Sequence, residues 1–207
     1  MKDLLLRIAL GKPRVTIAVA ALLTVAFVSQ IPRIKIDTDP ENMLPADEAV
    51  RVHHHEVKEA FELHDYLVVG VVREAEGGVF RPETLERVAL LTEGIRDLDG
   101  VIEEDILAPT EVDDVYTTDD GILRVDTLME EAPADEEAGQ LILARIRDNP
   151  ILRGKLASDD GEAIALFVPI ESKDRAHEIG GQIEALIEDL GGDEEWHLAG
   201  IPIAEDR

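Results

Sequence analysis

The chain has no cysteine, which excludes a disulfide framework, a thiolate metal site and a cysteine nucleophile. Aromatic residues make up only 3% of it, so the core is expected to be mostly Leu, Ile, Val and Ala. Basic residues are scarce as well: 20 Lys and Arg stand against 46 Asp and Glu, a formal net charge of -26. A surface of that sign repels nucleic acid and anionic headgroups, which argues against nucleic-acid binding. Arginine outnumbers lysine 14 to 6 and the acids are spread along the chain, the pattern of a protein kept soluble in high salt. No long Ser/Gly- or Pro-rich linker occurs, nor any Asn-x-Ser/Thr acceptor. Also missing are the Walker loop, the G-x-G-x-x-G turn, the G-x-S-x-G elbow and the H-E-x-x-H zinc helix. No catalytic, cofactor-binding or metal-ligating residue is therefore assigned, substrate-binding residues are unknown, and no enzyme is expected.

What is present is one long apolar run, Val15 to Val28, extending to Ile31 and containing no ionisable residue. Its 17 residues would span roughly 25 Å as a helix, the short end of a bilayer core. Pro13 stands where a helix would start and Pro32 where it would stop. Lys2, Arg7, Lys12 and Arg14 precede the run with only Asp3 against them, which places the N-terminus in the cytoplasm and residues 33–207 outside it, at the cell (inner) membrane. The competing reading is a cleaved signal peptide, although Phe27-Val28-Ser29-Gln30-Ile31-Pro32 is a poor cleavage site. A single span without ionisable groups cannot relay protons, so the chain alone would transport nothing.

In the remainder, Ile34 and Ile36 alternate with Lys35 and Asp37 as a strand-like lead, broken by turns at Asp39-Pro40 and Leu44-Pro45. A helix is predicted from about Ala46 to Leu63, with Val50, Val57, Ala60 and Phe61 as its apolar side. Tyr66–Val72 reads as a buried central strand, and Pro82–Leu98 as a helix with Leu85, Val88, Leu91, Ile95 and Leu98 in one stripe. Val101–Leu107 is a second strand, followed by irregular chain over 108–134 with a hairpin about Asp119-Asp120-Gly121. A helix Asp135–Arg147 stops at Asn149-Pro150, and Asp159-Asp160-Gly161 makes a tight turn. Ala163–Ile170 is a third strand, Asp174–Leu190 a helix stopped by Gly191-Gly192, and Trp196–Ala199 the last strand. The order β-α-β, insertion, β-α-β predicts an α+β fold of the ferredoxin-like (βαββαβ) kind, two helices covering one face of a four-stranded antiparallel sheet. The insertion, about 108–161, would pack either on that sheet or on another domain.

His53-His54-His55 and nearby His64 invite a metal reading. Adjacent helical residues point about 100° apart, so three in a row do not converge; His55 and Glu59 make half a site at most, and a solvated polar face is the simpler account. The Asp-Asp-Gly turns at 119–121 and 159–161 lack the alternating acids and terminal Glu of a calcium loop.

Several stretches together carry a resemblance. They are Ile36-Asp37-Thr38-Asp39-Pro40-Glu41-Asn42-Met43-Leu44-Pro45 after the apolar run, Phe61 and Asp65 before Leu67–Val72, and Gly78-Val79-Phe80 with Thr84-Leu85. They continue with Asn149-Pro150, Gly154, Ser158-Asp159-Asp160-Gly161 and Leu198-Ala199-Gly200-Ile201-Pro202. In order and spacing the chain resembles the N-terminal part of resistance-nodulation-division (RND) superfamily exporters, in the MMPL-like and hopanoid-transporter-like branches.

The resemblance implies a cytoplasmic N-terminus and transmembrane helix over 1–32, a linker and connecting helix over 33–65, and an extracytoplasmic, periplasmic porter domain over 66–200. It makes 201–207 the approach to a missing second membrane helix. It also implies partners: the lipid bilayer, further membrane helices with a second porter domain, an oligomeric assembly, and a hydrophobic or lipid-like substrate. No cofactor is implied, and the family's proton-relay positions have no counterpart here. Two rival readings stand beside it: a standalone single-pass anchored binding or scaffold protein, and a secreted hydrolase released by cleavage after the apolar run.

Overall fold

The computed structural model describes residues 11, 13–31, 43–75, 77–118 and 120–200. The predicted strand-like lead at Ile34–Asp37, the Asp39-Pro40 turn and the stretch after Gly200 lie outside them. The chain divides into two units, residues 1–39 and 40–207.

The first unit contains helix α1, Pro13–Val28, in which no residue is buried. Ser29 N–H still donates to Val25 O at 2.9 Å, and the end then tightens with Gln30 N–H donating to Phe27 O at 3.0 Å. This shortens the predicted span. At 16 residues α1 is about 24 Å long, against about 30 Å of bilayer hydrocarbon. Among the described residues no helix is long and apolar enough to cross a membrane.

The second unit is α+β. Helix α2 (Ala49–Ala60) precedes strand β1 (Asp65–Val72) and helix α3 (Pro82–Arg96). The hairpin β2 (Asp113–Thr117) and β3 (Leu123–Thr127) is followed by α4 (Glu136–Asp148), β4 (Ala163–Ile170), α5 (Ala176–Leu190) and β5 (Glu195–Ala199). Two antiparallel sheets result, one of order β4-β1-β5 and the other the β2-β3 hairpin.

β1 is central, as its uncharged run predicts. Leu67, Val69 and Val71 lie opposite Val168, Leu166 and Ile164 on β4, so six branched side chains share one face and all are buried. The other face, through Val68, Gly70 and Val72, is only partly covered. Leu85, Val88, Leu91 and Ile95 from α3 and Ala176, Ile179 and Ile183 from α5 belong to the same core cluster. Pro82 at the first turn of α3 forfeits no hydrogen bond, and Gly191, at φ +61°, ends α5.

The structure corrects two expectations. Val101–Leu107 is not a strand. Val101 and Leu107 each make a single antiparallel bridge to β4, at Ile170 and Phe167, and Glu103–Asp105 between them is a 3₁₀ turn. Three consecutive acids cannot alternate between a buried and a wet face, so the turn puts all three in solvent. The predicted apolar side of α2 is also not buried: no residue of that helix is buried, Val50 and Phe61 are exposed, and Val57 is only partly covered.

The insertion packs on the sheet. Val112, Leu128 and Met129 around the hairpin, Ile142, Leu143 and Ile146 of α4, and Leu152 and Leu156 beyond it join the core cluster of β1 and β4. Close approach there depends on glycine. A Cβ on Gly139 in α4 would collide with the Phe80 carbonyl, and one on Gly78 with the Gly161 carbonyl.

Candidate functional site

Three groups of residues stand out. The first joins two stretches singled out in the sequence. Gly78-Val79-Phe80 meets the Ser158–Gly161 turn, where Val79 N–H donates to Gly161 O at 3.0 Å. The turn holds itself together: Ser158 Oγ donates to Asp160 Oδ1 at 2.6 Å, and Glu162 N–H donates to the same oxygen at 3.1 Å. Those bonds, the serine's first, hold the Asp160 carboxyl below its ordinary range. Its acceptor capacity goes to closing a loop.

The second group is an ionic clamp where β1, α3 and the start of β5 meet. The Glu194 side chain is fully buried. Thr84 Oγ1 donates to its Oε1 at 2.5 Å, and Arg87 Nη1 reaches both oxygens, at 2.6 and 2.9 Å. Beside it Arg73 Nε donates to Asp193 Oδ2 at 3.3 Å, and Arg81 Nε to Glu83 Oε2 at 3.0 Å. The Arg73 hydrogen bond holds the Asp193 carboxyl low. Glu83 is lowered by its own backbone amide and then by Arg81, whose guanidinium the same bond pushes up. Each acid of the clamp is met by a guanidinium, an arrangement that ties strand ends to a helix.

The third group lies between the hairpin and α4. Asp114, on β2, is 3% exposed. Arg145 Nε stands 3.7 Å from its Oδ2, and Asn149 Nδ2 donates to its Oδ1 at 3.4 Å. The Arg145 guanidinium lies over the Tyr116 ring, 4.8 Å from its centre. Tyr116 Oη donates to Asp126 Oδ2 at 2.7 Å, which pushes the phenol pKa up. Cavities of about 750 and 490 Å³ open beside this group, and Arg145 lines both.

The histidines do not converge. His53 stands 3.8 Å from Glu56 on exposed α2, while His64 faces Asp105 across 3.6 Å. Among the described residues no group of three or more His, Cys, Asp or Glu is placed to hold a metal ion. Gly121 takes a positive φ in the hairpin turn, where Thr118 Oγ1 donates to Asp120.

Sequence reasoning missed both the Glu194 clamp and Asp114. Glu194 follows Asp193 and precedes Glu195, and nothing local marks the middle one as buried. Asp114 has a faint signal: in Asp113–Thr117 it sits in phase with Tyr116, on the side opposite Val115. Compared with known proteins, the chain matches no family model and no curated protein.

Proposed function

We propose that the chain is the N-terminal part of an RND-type membrane exporter of hydrophobic or amphipathic, lipid-like molecules. It supplies a membrane anchor and one porter subdomain and is not transport-competent alone. The observation that carries this reading is α1. Every large apolar side chain in it is exposed, Leu22 at 70% and Phe27 at 73%, a surface that water does not tolerate uncovered. The Thr24 hydroxyl within it donates to Ala20 O and that of Ser29 just beyond it to Ala26 O, local bonds that suit a lipid medium. The shortfall of about 6 Å from the bilayer core is taken up by local thinning at a fraction of a kcal/mol per Å.

The porter part rests on topology. β1-α3 and β4-α5-β5 form two halves, and the bridges of Val101 and Leu107 to β4 put the sheet order at bridge segment, β4, β1, β5. This order supports the ferredoxin-like reading, with the strand expected at Val101–Leu107 reduced to two bridges.

Two measurements test the proposal. Protease protection in membrane vesicles should show residues 33–207 on the extracytoplasmic side; cleavage from the cytoplasmic side would overturn the orientation. The DNA beyond codon 207, read in all frames, should encode further membrane helices bearing intramembrane acids. A stop followed by nothing apolar would overturn the exporter and leave a single-pass anchored scaffold.

A further inference from the structure

We infer that the smaller cavity beside the hairpin is a binding site for a small amphipathic organic cation, an ammonium group on a short apolar chain. The cavity holds about 490 Å³, within the size range of small-molecule sites. Val115, Tyr116, Ile151 and Leu152 give it an apolar wall.

Its one deeply buried polar group is the Asp114 carboxylate, and that group is poorly satisfied. A carboxylate offers about four acceptor positions. Asp114 receives one long hydrogen bond, from Asn149 at 3.4 Å, and a guanidinium at 3.7 Å, beyond hydrogen-bond reach. Buried acceptors left in that state are rare in folded proteins, because desolvation is not recovered.

Arg145 does not cure this, because its guanidinium is held over Tyr116, 4.8 Å from the ring centre, and comes no nearer Asp114 than 3.7 Å. Asp113 and Asp148 line the same cavity, so its lining carries three acids and one arginine. An anion is repelled there and a cation is drawn in. A bare metal ion fits poorly, since the wall is largely apolar and the described residues contain no metal-holding cluster. An ammonium donates the hydrogen bonds Asp114 lacks, while its chain covers Ile151 and Leu152. The inference is independent of the export reading, since the cavity lies within the second unit whatever surrounds α1.

The test is calorimetric titration of the full chain in zwitterionic nanodiscs with hexylammonium, using empty nanodiscs as the blank. Ammonium ion and hexanoate serve as the chain-free and charge-reversed comparators. Hexylammonium should saturate one site at least tenfold more tightly than either. Asp114→Asn should weaken it at least tenfold and Ile151→Ser several-fold, while Glu104→Gln, an exposed acid off the cavity, should change nothing. Ile151 is exposed, so its variant keeps the test alive if Asp114→Asn does not fold. Hexylammonium binding no tighter than ammonium or hexanoate would overturn the inference. So would binding indifferent to Ile151→Ser, or to Asp114→Asn where that variant folds.

Discussion

Two uncharged apolar runs, Val15–Val28 and Tyr66–Val72, look alike as strings of letters and end in opposite surroundings. In β1, Leu67, Val69 and Val71 are fully buried between neighbouring strands and two helices. In α1 no residue is buried at all. The contrast teaches that an apolar run states a preference for leaving water but not what will cover it. In β1 the cover is the rest of the unit. For α1 we have proposed lipid. α2 resembles α1 in this respect, since it too has no buried residue.

The sharpest way to break the comparison is to put the same charge in both runs. Val69→Asp should abolish cooperative unfolding, because an unpaired buried carboxylate costs several kcal/mol against a total stability of about 5–15 kcal/mol. Leu22→Asp should leave the thermal transition of the second unit where it was and reduce flotation with liposomes. A lowered melting temperature for Leu22→Asp would place α1 against protein.

Next in size is the clamp that closes the sheet end. Arg87→Met strands the buried Glu194 carboxylate and should cost about 3 kcal/mol in urea unfolding. A loss under about 1 kcal/mol would mean that Thr84 alone satisfies that acid.

Two helical glycines sharpen the point in opposite directions. Gly139→Ala drives a methyl into the Phe80 carbonyl and should destabilise by about 1–3 kcal/mol. Gly181→Ala in α5 meets nothing and should stabilise by up to about 1 kcal/mol. Equal effects at the two sites, read from chemical denaturation, would remove α4 from its close seat on the sheet unit.

The smallest expected effect is on pH dependence. Asp160 and Asp193 titrate below their ordinary range when folded, so their contribution is complete above the unfolded carboxylate value near about 3.9 and is lost as pH falls through the folded values. Melting temperature should fall across that acidic window, and Asp193→Asn should flatten part of the drop. An Asp193→Asn curve parallel to wild type would deny the aspartate any role in it.

Legibility followed how local the deciding physics was. β4 ends where its apolar run ends, and α3 buries Leu85, Val88, Leu91 and Ile95 of its predicted stripe, while Leu98 beyond its end is only partly covered. The hairpin turns at Gly121, and Asp135 caps α4 by accepting from Ala138 N–H at 2.9 Å. The segment Val101–Leu107 was misread because its apolar ends outweighed the three acids between them. The Glu194 clamp joins residues about 110 positions apart, Thr84 and Arg87 to Glu194, and no window on the chain spans that distance.

By itself, then, the sequence determined most of the elements and their order, the acidic surface, the mainly aliphatic character of the core and the singular status of Val15–Val28. Those follow from side-chain periodicity, turn residues and charge, each readable within a few positions. Only the tertiary structure decided that the insertion shares the sheet's core, that Glu194 and Asp114 are buried acids, and that Arg145 lies on Tyr116 beside an under-satisfied carboxylate. Burial and pairing are properties of surfaces brought together from distant parts of the chain, and they exist only once β1 has gathered its neighbours.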